Sequence, residues 1–178
     1  MPAPSPTTRA TFLRSTAESF VKAFIAGTSP CSILDTYFTS SAQIHEHGPA
    51  WANARLPFLG KTFTGRRQPG STPSHDGGST CDDYYDLLSR TLSFHPTERT
   101  APASVEFVVD AEALGPGGEE EGKGVVTVKM SAAFKSVKSG EGWEEEFVYV
   151  LSGFDEEGRI GRQELWADPL SAWVAVGE

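Results

Sequence analysis

The stretch from Gly142 to Asp168 limits the folds open to this chain more than any other. The run Gly142-Trp143-Glu144-Glu145-Glu146-Phe147-Val148-Tyr149-Val150-Leu151 alternates as a strand, Asp155-Glu156-Glu157-Gly158 reads as a turn, and Arg159 to Trp166 returns before Ala167-Asp168-Pro169. Phe147, Tyr149 and Leu151 make one face of the first strand apolar, and Val148 and Val150 do the same for the other, so a sheet with one wet face does not explain it. Pairing Phe154 with Arg159 across the turn puts Tyr149 opposite Glu164 and Phe147 opposite Trp166. Acids, a phenol and an indole then share one face.

The chain has 178 residues, 38% of them hydrophobic, which suits one domain with a core large enough to surround a small molecule. We expect a tail over residues 1–7, broken by Pro2, Pro4 and Pro6, and a single domain over residues 8–178. With 24 acidic against 15 basic residues the net charge is −9, which repels a phosphate backbone and argues against nucleic acid as a partner. No apolar run has the length of a signal segment or a membrane span, so the expected setting is the cytoplasm, away from membranes. Cys31 and Cys81 fit no paired metal or redox spacing. Each falls near a helix start, where a dipole lowers a thiol pKa, yet no histidine partner is near in sequence and inert thiols are the simpler reading.

Leu13, Ala17, Phe20, Val21, Phe24 and Ile25 recur at helical spacing over residues 8–26, and Gly27 stops the pattern. Ser29-Pro30 caps a short helix carrying Ile33, Leu34, Tyr37 and Phe38. A strand is expected from Ala42 to His47, then a Gly-, Ser- and Pro-rich loop from Gly65 to Ser79 that is mobile or a lid. Thr80-x-x-Asp83 opens a helix expected to run to His95-Pro96. Alternating strands follow at Val105–Ala111 and Val126–Phe134, joined by a loop over Leu114–Gly124. Helices first and a meander after give an α+β domain, with a curved, mostly antiparallel sheet wrapped around N-terminal helices.

Ile44, His45, Glu46 and His47 alternate across the sheet, so only one of Glu46 and His47 points inward unless the strand breaks at Gly48-Pro49. A buried carboxylate with a raised pKa, or a histidine, suits proton transfer beside a carbonyl; either could instead hydrogen-bond the following loop. His45-x-His47 invites a metal, but no carboxylate follows between Pro49 and Leu59, so none is expected. Glu164 and Asp168 are candidate acids, with Arg162 able to pair either, although an Arg–Glu pair is often structural and Asp168-Pro169 can simply start a terminal segment. Tyr37, Trp51, Phe58, Tyr84, Phe147, Arg162 and Trp166 are candidate pocket residues for a hydrophobic ligand. His75-Asp76 reads as solvated. Val148 and Val150 call for a cover, either the terminal segment or a second copy in a homodimer.

The order of elements, with Glu46-His47-Gly48-Pro49, Arg55-Leu56-Pro57-Phe58-Leu59-Gly60 and Phe154-Asp155-Glu156-Glu157-Gly158-Arg159-Ile160 leading to Trp166-Ala167-Asp168-Pro169, resembles the SnoaL-like branch of the nuclear-transport-factor-2-like superfamily, in its fungal polyketide-cyclase form. The resemblance implies a cone-shaped pocket between sheet and helices, a homodimer, and acid–base catalysis without a cofactor. It places Glu46 where steroid-isomerase relatives keep a carboxylate base, and Tyr149 near an oxyanion donor if Gly153 is an inserted bulge residue. The histidines of the scytalone-dehydratase pattern and the Arg-x-Asp pair of the limonene-epoxide-hydrolase pattern are missing from the central strands. The expected function is an isomerase, cyclase or dehydratase acting on a hydrophobic polyketide or terpenoid carbonyl compound, with Glu46, His47, Tyr149, Glu164 and Asp168 as catalytic candidates. The alternative is a non-catalytic ligand-binding or dimerisation module.

Overall fold

The computed structural model describes residues 6–68, 70, 71, 78–115, 118 and 122–177. It begins with α1 (Pro6–Ile25), whose Leu13, Ala17, Phe20 and Val21 form one buried stripe. Gly27, in the left-handed region at φ +71°, ends the helical turn. Ser29 caps α2 (Pro30–Tyr37) by accepting from the Ser32 N–H, with Pro30 in the first turn. β1 (Phe38–Glu46) follows with no connecting loop. A short 3₁₀ turn (Ala50–Ala54) leads to β2 (Thr62–Thr64), an edge strand the sequence did not announce.

Thr80 and Asp83 form the expected capping box at the start of α3 (Cys81–Thr91). The helix stops short of His95-Pro96. Leu92 turns extended, and β3 (Leu92–His95) pairs antiparallel with a later strand, because ladder partners are on offer where the helix would have run on alone. β4 (Glu106–Asp110), β5 (Val125–Ser136), β6 (Gly142–Ser152), β7 (Ile160–Trp166) and α4 (Pro169–Val176) complete the chain.

The sheet runs β2-β1-β7-β6-β5-β3, and β4 lies on the same edge of β5 as β3. All pairings are antiparallel except β1 with β7. α1 packs on β4 and β5, and α3 packs on β1 and β2, so the sheet's inner face closes over the helices as an α+β domain. That face is lined by Ala42 and Ile44 of β1, Leu165 of β7, Phe147, Tyr149 and Leu151 of β6, and Val126, Val128 and Met130 of β5, all in one continuous core.

The hairpin register differs by one residue from expectation. Asp155 N–H donates to the Arg159 carbonyl (3.0 Å) and Gly158 N–H to the Asp155 carbonyl (3.1 Å), leaving three residues in the loop. Gly158 is left-handed at φ +82°, the arrangement of a type I turn followed by a glycine bulge. Tyr149 therefore pairs with Leu165, Val150 with Glu164 and Val148 with Trp166. A slip of one residue exchanges the faces, so Arg162, Glu164 and Trp166 lie on the outer face with Val148 and Val150, away from Tyr149. Gly153 shifts no register within β6–β7; it stands after β6, also left-handed, against Gly161.

In the loop expected to be a lid, residues 69 and 72–77 lie outside the described residues, and His75-Asp76 with them. Its described stems are tied down: Arg66 pairs with Asp35 and Asp82, and Arg67 with Asp83 and Asp86.

A Cβ on Gly158 would sit 2.7 Å from Phe12 Cζ, whereas Gly140, also left-handed at φ +77°, has open space around it. Gly140→Ala should thus cost about 1 kcal/mol of backbone strain, and Gly158→Ala roughly 1–3 kcal/mol because the Phe12 and Thr16 side chains of α1 must also give way. Urea unfolding of both variants checks the difference; equal losses would mean the turn does not bear on α1.

Candidate functional site

Glu46 is carried inward by the alternation of β1. Ala42 and Ile44 are buried on the inner face, and Glu46, two residues on, follows at 6% exposure. Its backbone is held by the loop the sequence had marked: Gly60 N–H donates to the Glu46 carbonyl (2.8 Å), and Glu46 bridges to Leu59. The approach is too close for a side chain at Gly48, where a Cβ would fall 2.4 Å from Leu59 Cγ.

The Glu46 carboxyl receives a hydrogen bond from the Tyr84 hydroxyl of α3 at 2.8 Å. The rings of Phe58, Phe63 and Tyr85 pack edge-on around Tyr84. Burial pushes the Glu46 pKa up to about 8; the Tyr84 hydrogen bond pulls it back in part, and the Glu145 carboxylate adds to the rise. At neutral pH Glu46 is mainly a carboxylic acid, poised to give a proton as well as take one.

Tyr149 stands in the same row. β7 lies between β1 and β6, and Leu165 pairs with Glu46 on one side and with Tyr149 on the other. Two strand spacings put the Glu46 and Tyr149 backbones about 10 Å apart, with Leu165 between them as a floor. Phe20, Phe24 and Phe147 surround the Tyr149 ring. Burial holds this phenol well above its ordinary pKa, reinforced by Tyr85, Glu46 and Glu145, so it remains a donor. Glu145, in the same phase of β6, is also raised by burial, and its Oε2 accepts from the Asp168 N–H at 3.0 Å.

Other candidates lie elsewhere. His47 is on the outer face: its Nε2 is 3.1 Å from Glu164 Oε1, and its ring stacks on Trp166 at 3.9 Å and 9°. Arg162 donates to the same Glu164 oxygen at 3.1 Å. Burial raises the Glu164 pKa, but Arg162 and His47 outweigh it and hold the carboxylate below its usual range. Trp166 is 42% exposed. Asp168 caps α4, accepting from the Leu170 and Ser171 N–H groups. Trp51, expected in the pocket wall, is 65% exposed and packs edge-on against Trp173. Tyr37 is half-buried against Phe20. His45 bonds Thr62, and among the described residues no three His, Cys, Asp or Glu side chains gather as a metal site. Cys81 opens α3, yet burial pushes its thiol up to about 12, against the nucleophile reading; Cys31 is exposed.

The sequence reading missed three inner-face features: the bond from Tyr84 to Glu46, the inward Glu145, and Gln163, buried beside Leu165. The alternation Ala42, Ile44, Glu46 was a usable signal for the first. Glu145 and Gln163 depended on phases that the turn decides.

No protein family matches this sequence, and no curated protein does. Solved structures match across nearly the whole length. An NTF2-like protein of unknown function from Burkholderia pseudomallei is 15% identical over 94% of this chain and 98% of its own, with a TM-score of 0.56. A protein named as a candidate polyketide cyclase from Xanthomonas campestris is 10% identical over 95% and 99%, TM-score 0.56. TerC, co-crystallised with polyporic acid, is 10% identical over 94% and 99%, TM-score 0.56. The chain thus has the NTF2-like fold, the α+β cone expected from its sequence.

The acid at the inner face has a measurable consequence for stability. Its pKa of about 8 in the fold against 4.5 when free means that the folded state keeps the proton across that window. The stabilisation it gives is complete below pH 4.5 and is lost as pH rises to about 8. Glu46→Gln, which keeps an acceptor for Tyr84, should gain on the parent by up to about 1.4 kcal/mol per pH unit within the window. Thermal melts from pH 4 to 9 check this, and a constant difference across the range would show that Glu46 is not held protonated.

Proposed function

We propose that this chain is a cofactor-independent isomerase, cyclase or dehydratase that moves protons on a hydrophobic carbonyl compound, polyketide or terpenoid in class. The observation that carries the reading is the Glu46 carboxyl, buried on the inner face beside Tyr84 and raised to about 8, with the Tyr149 phenol across Leu165. A simple binder of apolar ligands is better served by an apolar side chain there, since a buried acid costs stability at neutral pH. TerC with polyporic acid, and the candidate cyclase, support a small-molecule role for the fold.

In the proposed chemistry the Glu46 carboxylate takes a proton from the carbon beside the carbonyl, and the C–H electron pair moves into an enolate. Tyr149 donates a hydrogen bond to the enolate oxygen, while Tyr84 holds one oxygen of Glu46 in place. Returning the proton to another carbon isomerises the substrate. Giving it to a departing β-hydroxyl releases water, leaves an unsaturated carbonyl and restores the carboxylate. His47, Glu164 and Asp168 are left with pairing and capping duties.

The reading includes a homodimer through the outer face, where Val148 and Val150 stand beside Trp166 and outside the core that takes in Ala172 and Val176 of α4. It also includes a cytoplasmic setting; no described helix is long and apolar enough to cross a membrane.

On a converted substrate, kcat/KM should rise with pH through a midpoint near 8 and level off above it. Glu46→Gln should lower kcat by about 10²-fold or more with ligand affinity kept, and His47→Ala should stay within about twofold. Full turnover in Glu46→Gln would sink the assignment. Val148→Lys should shift a dimer toward monomer in light scattering, and a parent protein already monomeric at micromolar concentration would remove that part of the reading.

A further inference from the structure

Gln163 is the polar residue of the inner face that nothing so far explains. It lies on β7 between Ile44 of β1 and Leu151 of β6, one row along from Glu46, Leu165 and Tyr149. It is 1% exposed, and its Oε1 is buried with no hydrogen-bond partner. No described residue pairs with the rest of the amide, nor with the Tyr149 hydroxyl. A buried polar group left unpaired costs about 1–3 kcal/mol. Both strand neighbours of Gln163 are aliphatic, so packing alone would be served by a third aliphatic residue.

Three of the buried polar residues elsewhere in this core are matched, while Asn53 Oδ1, Arg67 Nε and Trp143 Nε1 are, like Gln163 Oε1, buried without a partner among the described residues. Thr100 donates to the Ser131 carbonyl, Ser136 accepts from the Ser139 N–H, and Asp83 completes the α3 cap. On the inner face, Gln163 and Tyr149 stand in adjacent rows with their polar ends unspent. The two residues are diagonal neighbours on adjacent strands, about 7–8 Å apart at the backbone, a span that two long side chains can narrow to the spacing of oxygens on carbons two apart.

We infer that Gln163 is a specificity-determining residue for a β-hydroxy carbonyl substrate, its amide holding the hydroxyl while the carbonyl lies in the Glu46–Tyr149 row. A hydroxyl both donates and accepts, so it satisfies the amide in either orientation. The inference rests on the acid–base reading of Glu46 and names its substrate class. The β-hydroxyl is the group that leaves as water once the enolate forms, which selects dehydration among the proposed reactions.

The test uses two probes, benzylacetone and the same ketone with a hydroxyl on its benzylic carbon, titrated by calorimetry against the full chain and Gln163→Met. The parent should bind the hydroxy ketone at least about tenfold more tightly than benzylacetone. Gln163→Met should lose that preference, bind benzylacetone as the parent does, and melt no lower than the parent without ligand, because it replaces an unpaired amide with an apolar side chain of similar size. A ligand-free variant that melts several degrees lower would show that the amide is already satisfied in the resting protein, and the inference falls. It falls equally if the parent shows no preference, if the variant keeps it, or if neither ketone binds. The carboxyl carbon NMR titration of Glu46 judges the acid–base reading separately: a midpoint near 8 leaves it standing even where the hydroxyl makes no difference.

Discussion

The hydrogen bonds between Asp155 and Arg159 fix which half of β7 meets the helices and which half meets the surroundings. Asp155 N–H donates to the Arg159 carbonyl, and its carboxylate receives the Arg159 N–H at 2.7 Å. With three residues enclosed, Gln163 and Leu165 turn inward and Arg162, Glu164 and Trp166 outward. Because β7 is the strand between β1 and β6, its phase also determines what lies beside Glu46 and Tyr149. A loop shorter by one residue would keep the strands and exchange the chemistry of the two faces.

That arrangement gives Glu46 a setting no surface carboxyl has. Gly48 and Gly60 let the following loop press against the end of β1, and α3 brings Tyr84 onto the carboxyl from the other side. The neutral acid is the form such a place accepts at physiological pH, and stability is given up to keep it there as the solution grows more alkaline. Placement at the end of the strand, not its middle, lets backbone bonds hold the residue while the carboxyl points into the interior. Catalytic groups need this combination: a fixed backbone and a head group whose proton is only loosely committed.

Much of this was legible before the fold was seen. Helical spacing gave α1, Ser29-Pro30 gave α2 and Thr80-x-x-Asp83 gave α3, since caps and periodicity are local. The alternation in β5 and β6 gave the sheet. Leu92–His95 was misread because a four-residue apolar pattern suits helix or strand alike, and pairing with β5 decides it. The alternation of β1 left the inward place to either Glu46 or His47, and the fold turns Glu46 inward; Glu164 and Trp166 were grouped with Tyr149 because their phase was counted from a turn whose loop length the sequence leaves open. Gln163 carries no signal as a single letter; its interest lies in a burial that only the packed sheet shows.

The same phase keeps cations away from the inner acid. Arg162 is adjacent to Gln163 and, in the alternative register, would share a face with Glu46; a guanidinium there would draw the carboxyl toward its ordinary acidic range. In the observed register Arg162 is spent on Glu164, while Arg66 and Arg67 are spent on Asp35 and the α3 aspartates. The contributors that shift Glu46 are burial, a phenol and a second carboxylate, with no positive charge among them. The proton affinity of Glu46 thus follows from the three-residue turn between Asp155 and Arg159, through the face on which one arginine is allowed to stand.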